Sequence, residues 1–177
     1  LFGEVDEKMK KSPLLLNILK KNPYKGGVLP PESSDFVSDD NLFNYQAKVI
    51  KDLAAQESCI IIGRCADYVL KDNPDVISVF CYSDVEERIQ WSIDEYQVPA
   101  KQAKKIVQEK DTQRARFYEF YTNQKWGNAR NYSLMINTSK MSTDEAVQLL
   151  ASFYDVKKGI PTFKNAFENQ YEKNNTY

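Results

Sequence analysis

Two short apolar runs, CIII at 59–62 and VISVFCY at 76–82, limit what this chain can fold into. Gly63 closes the first, and the turn-forming DNPD at 72–75 precedes the second. Continuous apolar runs of this length, bounded by turn residues, suit strands buried on both faces, as in parallel sheets. YSLMINTS at 132–139 is a third candidate of the same kind. A sheet built from such strands needs helices between them, because parallel neighbours are joined by crossover connections.

The sequence supplies those helices. Leu42, Phe43, Ala47, Ile50, Leu53 and Ala54 recur three and four residues apart and define one apolar helical face. ADYVLKD at 66–72 predicts a short helix. SDVEERIQWSIDEY at 83–96 opens on a Ser/Asp cap and predicts a longer one. Another helix starts near Pro99 within 98–126 and has a strongly basic polar face. Ser142 and Glu145 stand in capping-box spacing before a last apolar face. SPLLLNILKK at 12–21 also reads as a short helix, whereas NPYKGGVLPPESSD at 22–35 is dense in proline and glycine and reads as loop. The expected class is α/β: a parallel sheet containing 59–62, 77–82 and 133–137, flanked by helices. The 177 residues suit a single domain, in which 1–41 forms an irregular insertion.

Composition narrows the chemistry. There is no histidine, which excludes Ser-His-Asp and Cys-His catalysis and histidine-ligated zinc within these residues. Basic and acidic residues balance, 24 against 25, so no global charge invites nucleic acid or an anionic membrane. No apolar run approaches the ~18 residues of a membrane span. Cys59, Cys65 and Cys81 lie in or beside apolar runs without a CxxC pair, which suits reduced thiols in a cytoplasmic protein.

In open α/β sheets, ligands bind beyond the carboxyl ends of the strands. Gly63 and Arg64 fall at such an end. A glycine permits a sharp turn or a close backbone approach, and arginine offers a planar, permanently charged fork that matches a phosphate. Its competing use is an ion pair at a strand end. A second cationic group lies in KDTQRARFYEFY at 110–121. Lys110 and Arg114, four residues apart, share a helical face. Arg116, two residues beyond Arg114, is rotated by roughly 160° at ~100° per residue. These groups converge only where the helix breaks or a ligand is enclosed from two sides. A solvated basic face is the simpler reading, but Phe117, Tyr118, Phe120 and Tyr121 need a surface to pack on.

Taken in order, GRCADYVL, VFCYSDVEERI, DTQRARFYEFYTNQKWG and NYSLMINTS resemble the cytidylate kinase-like family, a nucleoside monophosphate kinase branch of the P-loop kinases, over roughly residues 42 to 150. The resemblance implies a three-layer P-loop kinase architecture and transfer of the ATP γ-phosphate to a nucleoside monophosphate such as CMP, with ATP and Mg²⁺ as cofactors. Arg64 matches the arginine of the family's Gly-Arg-Asp motif, which binds the acceptor nucleotide. Cys65 stands where that motif has aspartate, and Asp67 lies two residues on. Gly63, Arg64, Asp67, Lys110 and Asp111 are the expected substrate-binding residues. Arg114 and Arg116 are the expected catalytic pair, on a lid segment spanning 110–130. No G-x-x-x-x-G-K-[ST] phosphate loop occurs in the sequence, and the resemblance places that loop and its strand before Leu1. Two other readings stand beside this one: a kinase-like binding or regulatory module without turnover, and a kinase for another small acceptor.

Overall fold

The computed structural model describes residues 27–35 and 38–159. Helix α1, Asp39–Gln56, follows Ser38, whose hydroxyl accepts the Asn41 amide at 3.1 Å. Asp39 and Asp40 in its first turn complement the helix dipole. Asn41 is buried on this helix, and its Oδ1 accepts the Leu29 amide at 2.7 Å. That bond satisfies a polar group inside the protein and ties the preceding loop to α1. The short helix α2, Ala66–Val69, follows the Gly63–Arg64–Cys65 turn. Strand β1 is Val79–Tyr82, and helices α3, Val85–Asp94, and α4, Ala100–Thr122, form a hairpin. Gln97, with φ 53°, helps reverse the chain between them, and Ala103 at their contact is fully buried. Strand β2 is Leu134–Asn137, and helix α5 is Thr143–Lys157.

The described chain divides into two compact units. One holds the described residues as far as Phe80 together with Val85–Leu134; the other holds Cys81–Asp84 and residues from Met135 onward. In the first, Phe43, Ala47 and Ile50 of α1 pack with Cys65, Ala66 and Val69 and with Phe117, Tyr118 and Tyr121 of α4. The aromatic run that requires a surface thus finds one: three of its rings are core. In the second, Ile136 of β2 is buried. There Ser142 accepts the Glu145 amide while the Glu145 carboxylate accepts the Ser142 amide at 2.7 Å. The predicted capping box is therefore formed, and these bonds pull the Glu145 carboxyl below its usual pKa. Ser142→Ala should weaken this cap by about 1 kcal/mol. Faster amide exchange confined to the first turn of α5 would show it; unchanged exchange would mean that the cap is redundant.

β1 and β2 pair in parallel. Ser78 bonds Ser133, the Thr138 hydroxyl bonds the Tyr82 carbonyl, and the Asp84 amide bonds the Ser139 hydroxyl, so the register advances in step on both chains. Two of the three expected strands are therefore parallel neighbours. The third expectation fails. Residues 59–62 form no strand, and Ile60 and Ile62 are 95% and 89% exposed, with only Ile61 packed against the core. A strand exists only where a neighbour completes its ladder, and among the described residues none pairs with 59–62. For the same reason β1 is half-buried at Val79 and Phe80 and exposed at Cys81 and Tyr82, not buried on both faces. The helix expected at 12–21 lies outside the described residues.

Candidate functional site

Gly63, Arg64 and Cys65 all have positive φ, at 71°, 57° and 53°. The Ala66 amide bonds the Gly63 carbonyl at 3.1 Å and closes the turn. Glycine reaches this left-handed region freely, whereas arginine and cysteine lose roughly 1–2 kcal/mol each by adopting it. Such strain persists only when its surroundings enforce it. Here Cys65, 4% exposed, is anchored in the core beside Ala66 and Val69. The residue that stands at the family's aspartate position is therefore a core residue. Arg64, between the exposed Gly63 and the buried Cys65, is half-buried. The expected strand end is thus a left-handed turn leading into α2.

Asp67 sits in the first turn of α2 and is half-buried. Its Oδ2 accepts the Tyr118 hydroxyl of α4 at 2.6 Å. Burial raises the Asp67 carboxyl above its usual pKa, opposed by the Tyr118 bond and by the backbone amides of Tyr68 and Asp67. Tyr118 is in turn pushed up by burial first and then by Asp67, with a smaller contribution from Tyr132. Tyr132 is raised by burial first and then by Asp67. Phe80 packs against Trp126 and Tyr132, with ring centroids 5.2 and 5.0 Å away. Gly127 beside the Phe80 ring adopts φ +73°, a left-handed conformation that a side chain would strain.

The raised Asp67 pKa fixes the sign of a pH effect. The folded state holds this proton more tightly than the unfolded chain, so its contribution to stability falls as pH rises from the ordinary 3.8 through the raised value. Asp67→Asn should remove that fall. Melting curves of both proteins across the acid range test this: parallel curves would contradict the assignment, and a wild-type curve that drops relative to the variant would support it.

The second group sits on the helical hairpin. Helix α4 runs unbroken through 110–116, so it provides no break to bring the arginines together. Asp111 accepts Arg88 Nη1 of α3 on both carboxylate oxygens, at 2.8 and 2.6 Å, and Arg114 Nη1 stands 3.8 Å from its Oδ1. Lys110 is half-buried, while Arg114 and Arg116 are exposed. Asp111 is thus occupied by two guanidiniums. The stretch 110–122 continues α4, with Phe117, Tyr118, Tyr121 and Thr122 buried. Sequence reasoning missed Arg88, Tyr118 and Tyr132 as site residues. Arg88 reads as one more charge on an amphipathic helix, and Tyr118 reads as a packing ring.

The described residues fit Mg²⁺ poorly. They contain no cluster of three metal-ligating side chains, and the carboxylate of Asp111 is already engaged. A shallow hollow of about 250 Å³ lined by Lys51, Val69, Leu70, Asp72 and Asn73 shares no residue with either group above. Among the described residues, no helix is long and apolar enough to cross a membrane.

A parallel strand pair with flanking helices makes this an α/β protein. The chain belongs to the cytidylate kinase-like family, whose sequence pattern matches residues 1–140. Among solved structures it is similar to an uncharacterized protein from Eubacterium ventriosum, with a TM-score of 0.63 and 30% identity over 67% of this chain and 74% of that one. No curated protein matches it.

Proposed function

We propose that the protein is a phosphotransferase that moves the ATP γ-phosphate to a nucleoside monophosphate such as CMP. The observation that carries this reading is the left-handed Gly63–Arg64–Cys65 turn. Strained backbone at two successive non-glycine residues recurs at ligand-binding turns, and here it sets a half-buried arginine, its Nη1 enclosed, beside an exposed glycine. Arg64 holds the acceptor phosphate, and Gly63 lets the phosphate approach the backbone. Asp67 offers a carboxylate near the same nucleotide. Lys110, Asp111, Arg114 and Arg116 belong to a lid over 110–130, in which Arg114 balances charge on the phosphates and Asp111 orients it. Arg116 contributes from another side of the helix. Phosphoryl transfer asks mainly for positioning and positive charge, which a chain without histidine can supply.

Family membership implies ATP and Mg²⁺ as the donor complex in a P-loop kinase architecture. The described residues do not hold that complex by themselves. A cytoplasmic enzyme without nucleic-acid or membrane partners fits the balanced charge.

A second reading rests on the occupied Asp111: a family member that binds nucleotide without turning it over. Incubation with γ-labelled ATP, Mg²⁺ and CMP, UMP or AMP separates the two. Labelled diphosphate supports the first reading. Binding of a monophosphate without label transfer supports the second. Transfer to a different small acceptor would replace the nucleotide.

A further inference from the structure

Asp67 and Tyr118 are 51 residues apart in sequence, yet they share one of the shortest side-chain contacts in the described protein, at 2.6 Å. The bond joins two elements of different character. One is α2, which the Gly63–Cys65 turn leads into through its first residue, Ala66. The other is α4, which carries Lys110, Asp111 and Arg114 one to two turns before Tyr118. The Tyr118 hydroxyl has one proton. The 2.6 Å contact to Asp67 holds it, since the Gln124 Oε1 lies at 3.4 Å. Gln124 stands beside the hydroxyl just past the α4 terminus.

Helix α2 is only four residues long. A helix of one turn has little stability of its own and takes its position from its contacts. Ala66 and Val69 supply apolar contacts, which are non-directional. A directional contact is the charge-assisted bond from Tyr118 to the carboxylate of Asp67, one turn beyond Arg64. A second buried tyrosine on α4 offers a comparison: the Tyr121 hydroxyl donates to the Asp39 carbonyl at the start of α1, at 3.1 Å, so its hydrogen bond ties a different element to α4.

We propose that Tyr118 is a positioning residue for the acceptor-phosphate turn: its hydroxyl, through Asp67, fixes the angle at which Gly63–Cys65 presents Arg64 and keeps that turn in register with the charged stretch of α4. The part of this inference that concerns acceptor binding rests on the reading of Arg64 as the phosphate-holding group. The tie itself does not.

Tyr118→Phe removes one oxygen and keeps the ring in the core. Amides at 63–70 should then exchange about tenfold faster, while those of α1 keep their protection. Tyr121→Phe, equally deep in the core, should loosen the start of α1 and leave 63–70 unchanged. Asp67→Ala removes the acceptor from the less buried side, and adding Tyr118→Phe to it should change the exchange of 63–70 no further. In the same Tyr118→Phe protein, the Kd or KM for the acceptor monophosphate should rise about tenfold, with kcat within about twofold. Unchanged exchange at 63–70 in both single variants overturns the inference. Faster exchange with wild-type acceptor affinity overturns the positioning role. Faster exchange beside a wild-type protein that binds no monophosphate overturns the reading of Arg64 and upholds the tie.

Discussion

Phe43→Ala should cost about 3–5 kcal/mol and leave much of the first unit unfolded at physiological temperature. Phe43 is 1% exposed and sits where α1 meets α4. Its ring stacks on Tyr121 with centroids 3.9 Å apart and planes within 8°, and it meets Phe117 edge-on at 6.1 Å. Truncation would remove the ring and leave a void lined by those two aromatics and by neighbours that are themselves held in the core. Partial collapse would drag on Tyr121, whose hydroxyl bonds the Asp39 carbonyl at the start of α1. Chemical denaturation followed by tryptophan fluorescence measures the loss, because Trp126 packs against this core. A loss under about 1 kcal/mol would mean that this cluster is not what holds the unit together. Phe43→Leu, which keeps most of the volume, should recover more than half of the stability.

The second large effect separates binding from folding. Arg64→Ala should weaken acceptor binding by roughly 1.5–3 kcal/mol, the range for a hydrogen bond to a charged group. The loss of stability should be smaller than the loss of affinity, because alanine meets the same positive φ as arginine and gives up only the contacts of a half-buried side chain. Arg64→Lys should restore only part of the affinity, since an ammonium cannot reproduce the two-pronged guanidinium. Arg64→Gly is the more telling variant. It relieves a left-handed residue of its β-carbon, so it should stabilise the protein by about 1 kcal/mol while binding acceptor no better than the alanine variant. If Arg64 serves only the fold, the order reverses: melting falls in all three variants and nucleotide affinity does not respond.

Much of the architecture can be read from local chemistry. The apolar spacing of Phe43, Ala47 and Ile50 predicts α1, Pro99 marks the start of α4, and Ser142 with Glu145 marks the start of α5. These signals act within one or two helical turns, where sequence distance and spatial distance agree. The strands are harder, because a strand is a property of a pair. Residues 76–82 and 132–139 have matching apolar runs and do pair, over the shorter spans Val79–Tyr82 and Leu134–Asn137. Residues 59–62 have an equally apolar run and no partner among the described residues, and nothing in CIII itself distinguishes the two cases.

The site divides in the same way. Gly63 and Arg64 stand out locally because a glycine and an arginine interrupt an apolar run. Asp67 is near enough in sequence to be noticed, but the partner that defines its environment, Tyr118, lies in a distant helix. Arg88 is likewise invisible until α3 folds back on α4 and brings it to Asp111. Cys65 illustrates the opposite limit. The resemblance to a Gly-Arg-Asp motif implies a ligand-facing residue at this position, whereas the Cys65 side chain is buried in the core next to Arg64.

The central claim is that the Gly63–Cys65 turn receives the phosphate of a nucleoside monophosphate. Calorimetric titration of the wild-type protein with CMP, UMP and AMP, repeated with Arg64→Gly, tests it most directly. The account predicts saturable binding of at least one of the three by the wild type, and a loss of about tenfold or more in the glycine variant despite its equal or higher melting temperature. Equal affinity in the two proteins, or no binding of any monophosphate to a folded wild type, would contradict it.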